Sequence, residues 1–174
     1  GPSGLAHYPG TGMPASFDGA FFLVDFRGAA ATSGVREFHV EQNGATYRLT
    51  SYKPFISGIL ATDCDLGPTG EFFVLDWVEG WNGPGVGRIH RFTSTDPETE
   101  QQRLESAAAL QKAGAASVAE AIALLNHRNL RVRAATQQRL VAIGVAAIAP
   151  LETLASDGNA SLFARVHALW ALGQ

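Results

Sequence analysis

Sulfur is scarce in this sequence: 174 residues contain one cysteine, Cys64, and one methionine, Met13. A single thiol excludes an internal disulfide and any metal centre built on several cysteines. Cys64 stands in the apolar run Ile59–Leu66, which suits a small buried hydrophobe better than a reactive thiol. Charge is sparse too, at 17% of residues with a formal net of −3. That is too little of one sign for a nucleic-acid or membrane-surface partner. No apolar stretch approaches the ~20 residues that a membrane-spanning helix needs. The chain carries no targeting segment and does not begin with Met, which leads us to expect further residues upstream. It has no HExxH, GxSxG, Walker loop, GxGxxG or haem-attaching CxxCH. The five histidines, His7, His39, His90, His127 and His167, include no i, i+4 pair and read as structural.

What is present is divided unevenly near residue 98. Residues 1–98 hold six Lys and Arg against eleven Asp and Glu, and residues 99–174 hold seven against five. The first part is punctuated by Gly and Pro and contains seven short β-prone runs: 4–8, 20–25, 35–41, 46–52, 59–65, 71–76 and 87–92. The connectors are turn chemistry, including Pro9-Gly10-Thr11-Gly12, Gln42-Asn43-Gly44, Gly67-Pro68-Thr69-Gly70 and Asn82-Gly83-Pro84-Gly85. No helical period interrupts them, so an antiparallel meander is expected. The pattern is also read twice. Phe21-Phe22-Leu23-Val24-Asp25 is followed by Gly34-Val35-Arg36-Glu37-Phe38, and Phe72-Phe73-Val74-Leu75-Asp76 by Gly87-Arg88-Ile89-His90-Arg91-Phe92. Two passes of three or four strands, about 50 residues apart, are expected of consecutive propeller blades.

After a polar switch at 93–103, Ala and Leu dominate. Helical spacing appears at Leu104–Leu110, Val118–Leu125, Leu130–Ile143, about 149–156, and Leu162–Leu172. Leu104, Ala107, Ala108 and Leu110-Gln111 give the first of these a short helix face. A repeat is visible at an offset of 32: Val132-Arg133 with Leu140 matches Ala164-Arg165 with Leu172. Arg133 and Arg165 are expected to cap or bridge neighbouring helices, and Leu140 and Leu172 to face a shared core.

The order GPSGLAHYPGTGMPASFDGAFFLVDFRG, LATDCDLGPTGEFFVLDWVEGW, GRIHRF resembles the closing blades of the glucose/sorbosone dehydrogenase-like β-propeller family, in its bacterial membrane-bound dehydrogenase branch. LLNHRNLRVRAATQQRL and LFARVHALWALGQ resemble HEAT repeats, which follow the propeller in that branch. The resemblance implies a mixed β-then-α fold, with a partial propeller of about two blades over 1–98 and a HEAT-like solenoid over 99–174. For a full-length parent it implies oxidation of a sugar or alcohol, pyrroloquinoline quinone, calcium and sometimes haem c as cofactors, and a periplasmic location. For this chain it implies no cofactor. The quinone-binding members place arginines where this sequence has Ile56–Asp63, which contains none. A protein partner through the HEAT helices is the remaining implication. A non-catalytic interaction module is the alternative.

In a propeller the strand ends on one rim line the ligand entrance. That directs attention to Asp25, Arg27, Asp63, Asp76, Trp77 and Trp81, with Asp65 and Glu79 nearby. Arg27 would offer a guanidinium to sugar hydroxyls or a carboxylate, against the plainer reading of an Asp25–Arg27 pair that holds a turn. Trp77 and Trp81 would be a stacking platform or packing between blades. Asp63 and Asp65 alternate along one run and would help to hold a calcium ion only with further ligands.

Overall fold

The computed structural model describes residues 1–83 and 85–174, so Pro84, within the expected Asn82–Gly85 turn, lies outside the described residues. Among the described residues there are seven strands followed by five α-helices, and no closed barrel or propeller. The chain divides into two compact units, Gly1–Thr99 and Glu100–Gln174, and the division falls in the first turn of the first helix.

The first unit holds two antiparallel meanders, of four and three strands, in line with the two passes read in the sequence. Sheet A runs β1 (Pro2–His7), β2 (Phe21–Asp25), β3 (Gly34–Asn43), β4 (Thr46–Ser57), and sheet B runs β5 (Ala61–Leu66), β6 (Phe72–Asp76), β7 (Arg88–Phe92). The turns follow the local chemistry. Asn43 pairs with Thr46 around Gly44, whose φ is +66°. At Gly67-Pro68-Thr69-Gly70 the Gly70 amide donates to the Gly67 carbonyl at 3.0 Å, and the Gly67 amide to Glu71 at 2.7 Å. Gly70 has φ +97° and lies so close to the Thr11 backbone that a Cβ there would overlap the Thr11 carbonyl. The two glycine-bearing loops, 9–12 and 67–70, therefore meet backbone to backbone.

The sheets pack on each other through Phe22, Val24 and Val35 from sheet A and Cys64, Leu66, Phe72 and Val74 from sheet B. The Phe22 and Phe72 rings lie 4.8 Å apart, and the Cys64 thiol donates to the Phe22 carbonyl at 3.6 Å. Burial pushes the Cys64 pKa up to about 12, with Asp63 and Asp65 adding to it. The middle strands share a sequence pattern but not a buried face. In Phe21–Asp25 the second and fourth residues are buried, whereas in Phe72–Asp76 the first, third and fifth are. Sheet B thus meets sheet A through the face that sheet A turns outward. The two sheets are stacked in series, not back to back.

The second unit contains α1 (Pro97–Ala113), α2 (Val118–Leu124), α3 (Leu130–Ile143), α4 (Val145–Ser156) and α5 (Leu162–Leu172). Two helices begin earlier than the sequence suggested. Pro97 opens α1, where a missing amide costs nothing, and the Asp96 carboxylate accepts from the Glu98 amide at 2.9 Å. Pro150 lies inside α4, but the acceptor it deprives, Ala146, is in the first turn, so a single bond is lost. Leu104, on the short face read for the first helix, is exposed. The core of this unit is Leu125, Leu140, Leu151 and small alanines, including Ala121, Ala164 and Ala168, with Leu172 partly buried against it.

The offset of 32 is visible in the bonding. Asn129 and Ser161 cap α3 and α5. Four residues on, Arg133 donates to the carbonyls of His127 and Arg128, both at 2.7 Å, and Arg165 donates to Ala155 at 3.3 Å. Arg165 thus satisfies a carbonyl in the last turn of α4, and Arg133 two carbonyls of the turn between α2 and α3. Arg133 also lies 4.5 Å from the Phe163 ring centroid, and His167 Nδ1 donates to Gln137 Oε1 at 2.8 Å.

Candidate functional site

Five of the six rim residues singled out in the sequence lie around two loops, one leaving β2 and one leaving β6. Both middle strands end in aspartate, and each aspartate is held by a basic residue two register positions back on the next strand. Asp25 Oδ2 accepts from Arg27 Nε at 2.8 Å and from Arg36 Nη2 at 3.3 Å. The Arg27 hydrogen bond, assisted by Arg36, keeps the Asp25 pKa below the usual carboxylate value. Asp76 is buried, accepts from the amides of Val78 at 2.9 Å and Leu60 at 3.2 Å, and faces His90 Nε2 at 3.0 Å. Burial pushes the Asp76 pKa up, but the bonds from His90, Val78 and Leu60 together outweigh it, and the net shift is downward. Both carboxylates are therefore ionised and engaged at neutral pH. Asp76 is a turn-holding group, and Arg27 is the charged side chain left in solvent, 58% exposed.

Three aromatic rings join these loops. Trp77 and Trp81 have centroids 4.9 Å apart, and Phe26 lies 5.8 Å from the first and 6.1 Å from the second. Trp81 is 66% exposed although its indole N–H donates to the Gly28 carbonyl at 3.0 Å, so the ring is held from the loop between β2 and β3 while its surface stays open. Val78, between the two tryptophans, has φ +61°. A β-branched residue there is strained, and the strain sets the direction of the loop that carries Trp81. An open groove of about 570 Å³ adjoins Trp77 and is lined by Thr62, Leu75, Asp76, Arg88 and Ile89.

Asp63 is not brought to this cluster. It lies on β5 in register with Leu75, and its carboxylate accepts from the Cys64 amide at 2.8 Å; Asp65 does the same with Leu66 at 2.7 Å. Among the described residues no group of three His, Cys, Asp or Glu side chains is arranged to hold a metal ion. Glu79 is exposed in the loop after Asp76. Arg133 and Arg165 lie in the helical unit, in the carbonyl-binding roles given above. Sequence reasoning missed Phe26, Arg36 and His90. The signal for the last two was the shared register of the third strand, and for Phe26 its place between Asp25 and Arg27. Comparison with protein-family models, curated proteins and solved structures gives no match.

Among the described residues no helix is long and apolar enough to cross a membrane.

Proposed function

We propose that this chain is part of a sugar- or alcohol-dehydrogenase-like propeller protein, and that its own residues recognise a sugar without oxidising it. The observation that carries the reading is the open aromatic surface of Phe26, Trp77 and Trp81 beside the exposed guanidinium of Arg27. The apolar face of a pyranose presents polarised C–H groups that suit the negative face of an indole, while its hydroxyls accept from a guanidinium. Holding Trp81 through Gly28 means that little side-chain freedom is lost on binding. The serial stacking of the two sheets supports their assignment as successive blades. Repeated capping by Arg133 and Arg165 supports HEAT-like helix pairs.

Oxidation is assigned to the parent protein. The residues present do not fit a quinone or calcium pocket: Ile56–Asp63 has no arginine, and Asp63 and Asp65 each turn back on the next amide. In the parent protein, pyrroloquinoline quinone would supply the two-electron acceptor. The helical unit is the protein-docking part, a role favoured by the exposed Leu169 and Trp170 on α5. This is also the feature that favours the alternative, a non-catalytic interaction module.

Purified chain mixed with quinone and calcium should reduce no dye with glucose, yet glucose or an oligosaccharide should change its tryptophan emission, and Trp81→Ala should abolish the change. Turnover well above a denatured control would overturn the assignment of chemistry. An emission that ignores every sugar tried would leave the interaction module as the better reading.

A further inference from the structure

Arg27 is anchored by one side-chain nitrogen and by its own backbone amide. Its Nε donates to Asp25 Oδ2 at 2.8 Å, and the amide donates to Ser33 Oγ at 2.9 Å. Among the described residues no protein group bonds its terminal nitrogens Nη1 and Nη2, and the side chain is 58% exposed. These two nitrogens form a planar fork whose spacing matches the two oxygens of a carboxylate. Asp25 does not cancel the charge, because the same oxygen also takes Arg36 at 3.3 Å, which leaves two guanidiniums to one carboxylate. The residue after Arg27 serves the aromatic half of the site, since the Gly28 carbonyl accepts from the Trp81 indole at 3.0 Å. One short loop therefore fixes both a cation and a ring.

We propose that the ligand of this surface is an acidic oligosaccharide: one pyranose ring stacks on Trp81 and Trp77, and the carboxylate of a neighbouring uronate unit sits on the Arg27 fork. This rests on the reading of the surface as a sugar site and names the class of sugar. A hydroxyl would engage one nitrogen of the fork, whereas a carboxylate engages both, and a charge-assisted hydrogen bond is about twice as strong as a neutral one. Anchoring at Asp25 and Ser33 means that little freedom of Arg27 is lost on binding. The placement of the acid group follows from the other charges. The loop 77–87 contains one acid, Glu79, which is exposed and has no basic partner among the described residues. It repels a carboxylate held over Trp77, whereas positive charge is in excess around Arg27. The charged unit therefore belongs at the Arg27 end and the stacked unit at the tryptophans.

Cellotriose and β-1,4-linked triglucuronate share their rings and linkage and differ in the oxidation state of C6, so the pair isolates the charge. Titrating each into the full chain and following the indole signals by heteronuclear NMR should show triglucuronate saturating the site at about fivefold lower concentration or less. Screening in about 1 M salt should remove that preference while leaving the cellotriose response in place. Arg27→Gln should remove it too, and circular dichroism checks that this variant, changed at an exposed side chain, is folded. Equal saturation of the parent chain by the two trisaccharides would overturn the inference and leave sugar recognition standing. A preference for triglucuronate that survives in folded Arg27→Gln would overturn it as well, because the charge would then be read elsewhere. Indole signals that ignore both trisaccharides would remove the sugar site itself, and this inference with it.

Discussion

Arg133 shows how a charged side chain becomes structural in a small helical unit. It is 5% exposed, gives one nitrogen to two carbonyls and lies over Phe163, while its Nε has no hydrogen-bond partner. Burial lowers its pKa, yet a guanidinium remains charged at any ordinary pH. Removing it strands two carbonyls in the turn between α2 and α3, so Arg133→Ala should cost about 2–4 kcal/mol. Leu140, fully inside the helical core, should cost roughly 2–5 kcal/mol as Leu140→Ala, and the exposed Arg128 about 0.5 or less as Arg128→Ala. Denaturant melts would rank the three. A change at Arg133 no larger than that at Arg128 would mean that the carbonyl contacts contribute nothing. The same scale explains Gly70. Gly44 also has positive φ but open space around it, so Gly44→Ala should cost only about 1 kcal/mol. Gly70→Ala adds the collision with Thr11 and should cost clearly more, above ~2 kcal/mol. Equal melting of the two variants would contradict the close approach of the two loops.

Elements were legible in the sequence wherever local chemistry decides them. The seven strands are bounded by Gly, Pro and Asn turns, and α2, α3 and α5 begin at Ser117, Asn129 and Ser161. The start of α4 was not legible, because the cost of Pro150 depends on which turn holds its lost acceptor. The choice of buried face in β6 was not legible either, since Phe-Phe-Val-Leu-Asp offers apolar residues to both sides and only the partner sheet selects one. The site was half legible: Asp25, Arg27, Asp76, Trp77 and Trp81 could be named, but their convergence through Phe26 and Gly28 is a tertiary fact. Titration acts at this scale too. Burial lowers the pKa of both His127 and His167 from 6.5, and the Arg133 charge lowers them further. Above about pH 6.5 both states are neutral and the full stability is present. As pH falls below that, the unfolded chain takes up protons that the folded helices refuse, so stability is lost through the folded values. His7 adds the same sign in the β unit, while Asp25, Glu71 and Asp76, all shifted downward, lose their contribution only below the ordinary carboxylate range. The thermal midpoint followed by circular dichroism should fall from pH 7 to pH 5, and fall less in His167→Gln. A midpoint independent of pH over that window would exclude this role for the histidines.

At the scale of the whole molecule, two units divide the work. The β unit places an aromatic surface and a guanidinium where two strand-end loops meet, and the helical unit exposes apolar side chains on α5. Three tryptophans distribute conveniently between them: Trp77 and Trp81 belong to the candidate site, while Trp170 lies on α5, its ring 5.1 Å from His167. Each has one indole N–H, so heteronuclear NMR of the full chain reports both units at once. Titration with glucose or an oligosaccharide should shift the Trp81 and Trp77 indole signals in a saturable manner and leave that of Trp170 in place. Indole signals that all stay fixed at high sugar concentration, or a shift confined to Trp170, would contradict sugar recognition at the strand-end loops.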